Sequence, residues 1–306
     1  MGYVGKRLLA PRKKTGTFRI YIVGGSTVEG LGPLGDPESH WPARLEKLLN
    51  SAQLPQSVEI INAGVAGYTS VESFVEFSLR GLALQPDLLL IYHNINDAWI
   101  AQMADGFKTD YSHVRKQKVW KNSWIHQTPN LPFWFSYQLL RGIFLQKVAR
   151  HSSLIHQISD PPFSSEEPYD VRRVDCFANH IRNLIAVAQS REIPSVVIRW
   201  EMDPETPGWT PAFFEQKNSV YLRNKLKRYI AANNQALRKT SKTTGVDYLD
   251  LGRFSPHHFS DLIHFNEAGL AEMAARMNKH LMKILQTRMK KPEKTRGQET
   301  YRESPN

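Results

Sequence analysis

The sequence predicts an α/β protein: a three-layer α/β/α sandwich around a doubly wound parallel sheet of about five strands, in one domain. Three observations lead there. Short apolar runs of β type alternate with helical patterns along the chain, as expected when helices cross over between parallel strands. One run, Asp87–Tyr92, is continuously apolar after its first residue, the mark of a strand covered on both faces. Glycines and polar residues stand at the C-terminal ends of the runs, where sheets of this kind bind ligands.

Taken in order, Phe18–Val23 is the first strand and ends at Gly24-Gly25. Trp41–Ala52 is a helix with Leu45, Leu48 and Leu49 on one face. Val58–Asn62 is the second strand, running into Ala63-Gly64. Thr69-Ser70-Val71-Glu72 has the form of a capping box and opens a helix carrying Val71, Phe74, Val75 and Leu82. Asp87–Tyr92 is the third strand. Ser195–Trp200 and Val246–Leu251 are the fourth and fifth, preceded by helical patterns at about 171–190 and 218–240. Asn266 is an N-cap for a last helix with Leu270, Met273, Met277 and Leu281 on its apolar side.

Three segments follow from this: a basic N-terminal segment (1–17), the α/β body (18–286) and a polar, basic tail expected to be disordered (287–306). Within the body, residues 99–170 break the strand–helix rhythm. That stretch is too long for a passive loop and holds Trp99, Trp120, Trp124 and Trp134 with Phe133, Phe135 and Tyr137. Its aromatics either pack the insertion onto the body, or line a lid over an acyl or sugar pocket, or, through the amphipathic run 131–150, lie at a membrane interface.

The 306 residues carry a formal charge of +11, but it is unevenly placed. Residues 1–19 hold six bases and no acid, and residues 283–306 hold seven bases against three acids, so the body between them is at +1. A nucleic-acid partner needs a basic face on the folded body, and that balance argues against one. The basic tails could instead touch an anionic surface. The lone Cys176 excludes an intrachain disulfide and any multi-cysteine metal site. No run reaches the ~18 apolar residues of a membrane-spanning helix. The first residues lack the apolar core of a signal peptide, so the cytoplasm is the default compartment, with export or anchoring expected only if the true start lies upstream.

The chemistry stands at the strand ends. Gly24-Gly25-Ser26-Thr27 follows the first strand, the stretch from Asn62 through Gly64 and Gly67 to Ser70 the second, His93-Asn94-Ile95-Asn96-Asp97 the third, and Asp261-Leu262-Ile263-His264 the fifth. A serine hydroxyl is a poor nucleophile until a nearby base takes its proton. His264 can be that base at neutral pH, and Asp261, three residues earlier, can fix its tautomer. The amide of Ser26, the Gly67 N–H and the Asn96 side-chain amide can donate to a developing oxyanion.

In that order the four blocks resemble the SGNH/GDSL hydrolase superfamily: a Gly-Asp-Ser-Leu-like block, Asn-x-Gly-x-x-Gly, a Gly-x-Asn-Asp-like block and Asp-x-x-His. The resemblance implies a flavodoxin-like SGNH-hydrolase fold with Ser26 as nucleophile, Asp261 and His264 completing a catalytic triad, and Ser26, Gly67 and Asn96 forming the oxyanion hole. It implies hydrolysis of a small acyl ester, such as an acetyl ester, on a carbohydrate or lipid, with no cofactor and no metal. An acyltransferase using the same site, or an inactive carbohydrate- or anionic-surface-binding protein, are its alternatives. Two departures stand out: Gly25 replaces the aspartate of the first block, and Asn94 stands where glycine is common.

Each block alone has a bland reading. Ser26 could be a turn serine, Gly64 and Gly67 turn glycines, and Asn96-Asp97 a helix cap. Other motifs fare worse: Gly30-Leu-Gly32-Pro-Leu-Gly35 starts too far beyond the first strand to bind a dinucleotide, and Val28 breaks an α/β-hydrolase nucleophile elbow. His257, His258, Asp261 and His264 lack the helical spacing of a metal site. His40, His113, His126 and His180 have no partner visible in the sequence and read as surface or core residues.

Overall fold

The computed structural model describes residues 10, 12–30, 36–102, 107–113, 169–202 and 219–289. Five strands form one parallel sheet: β1 (Thr17–Gly24), β2 (Ser57–Gly64), β3 (Leu88–Tyr92), β4 (Ser195–Ile198) and β5 (Asp247–Leu249). Their spatial order is β2-β1-β3-β4-β5. The chain therefore winds one way from β1 to β2 and the other way from β3 onward. The reversal lies between β1 and β3, and the crevice beyond their C-terminal ends is where such sheets place ligands.

Side chains along the strands alternate between two cores. Ile20, Ile22, Leu88, Leu90 and Tyr92 face one way, against α2 (Trp41–Ser51) and α7 (Glu267–Met289). Tyr21, Val23, Leu89 and Ile91 face the other, against α3 (Ser70–Glu76) and α5 (Val171–Gln189). The long helix α6 (Ser219–Thr244) supplies Leu226, Tyr229 and Ile230 to the first core and Leu237 to the second. Every residue of β3 is buried, which is why its sequence shows no alternation. Two short helices, α1 (Ser26–Glu29) and α4 (Ile95–Ile100), begin directly beyond β1 and β3.

The expected caps are present. Thr69 accepts from the Val71 amide while Glu72 accepts from the Thr69 amide, closing the capping box. Asn266 Oδ1 accepts from the Gly269 amide at 3.0 Å and starts α7.

Some expectations change. α3 ends at Glu76 and continues as a wider turn, Phe77–Gly81; its buried face is the row Ser70, Ser73 and Phe77, at i, i+3 and i+7, which leaves Val75 facing solvent. Leu48 sits at the solvent edge of α2, where Trp41, Leu45 and Leu49 face the core. Arg19, which the charge count places with the N-terminal bases, is buried in β1 and pairs with Glu59, while Lys13 Nζ reaches both oxygens of Asp87 at 2.6 Å. These two bases are therefore tied to the body. Most of the 99–170 segment, with Trp120, Trp124 and Trp134, lies outside the described residues, as does nearly all of 287–306. No helix among the described residues is long and apolar enough to cross a membrane.

Candidate functional site

β1 delivers Ser26 to the crevice. The strand ends at Gly24, and the chain turns at once into the single turn of α1, with the Val28 and Glu29 amides donating to the Gly25 carbonyl. Two buried side chains pin that turn from below: Asn62 Nδ2 donates to the Val28 carbonyl at 2.8 Å, and Trp41 Nε1 to the Thr27 carbonyl at 2.9 Å. Neighbouring elements thus hold a helix too short to be stable alone.

Asp261 and His264 arrive from the far end of the chain. Between β5 and α7, Phe259 and Phe265 form an isolated antiparallel bridge, and the residues between them fold into a tight turn. Asp261 Oδ1 closes it by accepting from the Ile263 and His264 amides at 2.8 and 2.7 Å. Phe254 and Phe265 stack with ring centroids 4.7 Å apart and fix the turn against the first core.

The three side chains meet. Asp261 Oδ2 lies 2.7 Å from His264 Nδ1, and His264 Nε2 lies 2.9 Å from Ser26 Oγ. A carboxylate can only accept, so His264 carries its proton on Nδ1 and Nε2 is left to accept from the serine hydroxyl. Burial raises the Asp261 carboxyl, but the hydrogen bonds from the His264 ring and from the Ile263 and His264 amides outweigh it and hold the group below its ordinary range. Asp261 is therefore charged at neutral pH.

The second and third blocks close over the end of β1. The Val65 amide donates to the Gly24 carbonyl at 3.2 Å, and Glu29 Oε2 accepts from the Ala66 amide at 2.6 Å. Gly67 has φ of +78°, a left-handed conformation that glycine adopts without penalty. From the end of β3, Asn96 Nδ2 donates one hydrogen to the Tyr68 carbonyl at 2.8 Å. A Cβ at Gly25 would lie 2.6 Å from that nitrogen, so glycine at this position leaves the space that the Asn96 amide occupies. Ser26, Asn96 and the Gly67 turn are thus brought together with Asp261 and His264.

The other departure also has a structural reason. Asn94 Nδ2 donates to the Ile230 carbonyl at 3.0 Å and to Asn234 Oδ1 at 3.1 Å, while its Oδ1 accepts from Asn233. The side chain joins the end of β3 to α6, which a glycine could not do.

Other polar residues here have no isolated signal in the sequence. His40 is buried, and burial, the nearby His264 and Arg44 lower it to about 4 against the opposing Val28 backbone bond, so it is neutral. His180, read as partnerless, binds Ser70 Oγ and the Thr109 carbonyl. Asp97 is fully buried beneath Asn96 and binds Ser70. Asp250 stays apart from the site, accepting from the Gly252 amide.

Comparison with known proteins agrees with this architecture. The sequence profile of the GDSL-like Lipase/Acylhydrolase family matches residues 22–271. No curated protein sequence matches the chain. Among solved structures, a protein described as a GDSL-like lipase from Parabacteroides merdae is similar with a TM-score of 0.52 at 13% identity, over 86% of this chain and 94% of that one. A protein described as an acylhydrolase from Bacteroides fragilis gives 0.50 at 16%, over 90% and 92%. The acetyl xylan esterase AlAXEase gives 0.50 at 13%, over 86% and 100%. At such identities the likeness concerns the fold, whereas the profile spans most of the sequence and includes all four strand-end blocks. The chain belongs to the GDSL-like lipase/acylhydrolase family and is a hydrolase of ester bonds.

Proposed function

We propose that this chain is a serine esterase that removes a small acyl group, such as acetyl, from a carbohydrate or lipid through an acyl-enzyme. The observation that carries the reading is the unbroken chain of hydrogen bonds from Asp261 through His264 to Ser26 Oγ. Ser26 Oγ attacks the ester carbonyl as His264 Nε2 takes its proton, and Asp261 steadies the resulting imidazolium. The oxyanion of the tetrahedral intermediate is stabilised by the Ser26 and Gly67 amides and by the second Asn96 N–H, the one not used on Tyr68. His264 then gives its proton to the departing alkoxide. Water enters by the same route in reverse, and the acid is released from Ser26.

Acetylated carbohydrates are the first substrates to test, because the fold resembles that of an acetyl xylan esterase. The purified protein is expected to release p-nitrophenol from short-chain p-nitrophenyl esters, and Ser26→Ala to abolish the release. Unchanged turnover in Ser26→Ala would overturn the assignment.

A further inference from the structure

Asp97 is the most enclosed carboxylate near the site, and the mechanism above does not use it. Its side chain lies on α4, one residue beyond Asn96, and points away from the crevice into the protein. Both carboxylate oxygens lie 3.2 Å from the Ser70 amide, and Oδ1 accepts from Ser70 Oγ at 2.5 Å. Ser70 Oγ in turn touches His180 Nδ1 at 3.2 Å on α5. The buried Tyr111 hydroxyl sits beside the same carboxyl. His93 Nδ1 is 3.9 Å away, but burial lowers that ring to about 4 and keeps it neutral at pH 7.

Burial pushes the Asp97 carboxyl up to about 7 even against the hydrogen bonds from Ser70. An acid in such a place, with no charged cation beside it among the described residues, is costly to ionise. What it holds is specific. Ser70 is the first residue of α3 and immediately follows the turn that carries Gly67 and Tyr68. The Asp97 backbone immediately follows Asn96. One side chain therefore ties the element bearing one donor to the element bearing the other, and the Asn96–Tyr68 bond at 2.8 Å repeats the tie at the surface of the crevice.

We propose that Asp97 is a positioning residue: by gripping Ser70 from beneath Asn96, it sets the distance between the Asn96 amide and the Gly67 amide, and with it the fit of the oxyanion site. This rests on the serine-esterase reading. The role is distinct from that of Asp261, since Asp97 orients two donors and never contacts the base. A small displacement of such donors lowers transition-state stabilisation while leaving ground-state binding nearly intact.

The test uses the full chain and p-nitrophenyl acetate, with kcat expressed per site titrated to completion by a fluorophosphonate so that unfolded protein does not count. Asp97→Ala is expected to lower kcat by about 100-fold with KM within about twofold. Ser70→Ala, which keeps the carboxylate but removes one of its donors, is expected to lower it several-fold and serves where Asp97→Ala folds poorly. In an Asn96→Ala background, Asp97→Ala is expected to cost less than in the wild-type background, because half of what it positions is gone. Unchanged kcat per titrated site in both single variants, or losses that multiply in the double variant, would overturn the proposal. Ser26→Ala, run alongside, separates the two levels: turnover surviving there removes the esterase reading and this inference with it, whereas its loss leaves the Asp97 outcomes to decide.

Discussion

The Cα of Gly25 faces the side-chain amide of Asn96 so closely that a methyl group on it would lie 2.6 Å from Nδ2. The backbone at Gly25 is extended, with φ of −91°, so this position favours glycine for space. Gly25→Ala should therefore fold normally but push the Asn96 amide aside. A fall in kcat of about 10- to 100-fold with little change in KM or melting temperature is expected, and steady-state kinetics with thermal unfolding checks it.

The Gly67 position behaves in the opposite way. A Cβ there meets nothing within 4 Å, yet φ is +78°. Gly67→Ala is expected to cost about 1 kcal/mol through the backbone alone, a loss of a few degrees in melting temperature. If the amide also turns, kcat falls with it. Comparing the two glycine variants separates a crowding effect from a conformational one.

Asp261→Asn should leave the fold intact and lower kcat by about 10,000-fold, because an amide can hold the His264 ring in the wrong tautomer. Stability adds an independent check. The folded carboxyl of Asp261 lies below its ordinary value, so its contribution is present above about pH 4 and is lost as pH falls through the folded pKa. The stability difference between wild type and Asp261→Asn is expected to shrink in acid, as read from denaturant midpoints across pH.

Asp97 should show the reverse sign. Its folded pKa is raised from 3.8 to about 7, so the folded state holds more protons than the unfolded state between those values. Stability from this group is full below the unfolded pKa and is lost as pH rises through about 7. The groups around it are Ser70 and Glu72 on α3, His93 at the end of β3, Tyr111, and Cys176 on α5. His93, lowered to about 4, favours the folded state as pH rises and partly masks the effect in wild type. Asp97→Asn is expected to gain stability relative to wild type between pH 4 and pH 8, in melting temperatures measured across that range.

Much of the fold is legible in the sequence. Strand positions followed from apolar runs, and Thr69 and Asn266 were recognisable as caps because their partners lie within three residues. Ser26 and Asn96 stand out because each lies just beyond a strand, whereas Asp261 and His264, well past β5 in the turn before α7, stand out only by their Asp-x-x-His spacing. The remainder depends on contacts between distant segments. Asp97 finds Ser70 twenty-seven residues away. His40 is buried beside His264, and nothing near it in sequence says so. Val75 is apolar and lies in α3, but the face that docks is the row Ser70, Ser73 and Phe77, so Val75 is left exposed. Arg19 counts as one more N-terminal base until β2 brings Glu59 alongside.

The 2.9 Å contact between Ser26 and His264 joins residues 238 positions apart. On the proposed mechanism, a chain still being synthesised displays its serine and both oxyanion donors long before it has a base to activate them. Contacts of such long range also form slowly. On that mechanism, hydrolysis begins only after the turn before α7 has docked onto the finished sheet. In a refolding or translation experiment, ester turnover would time the last closure of the fold, with unfinished chains remaining silent.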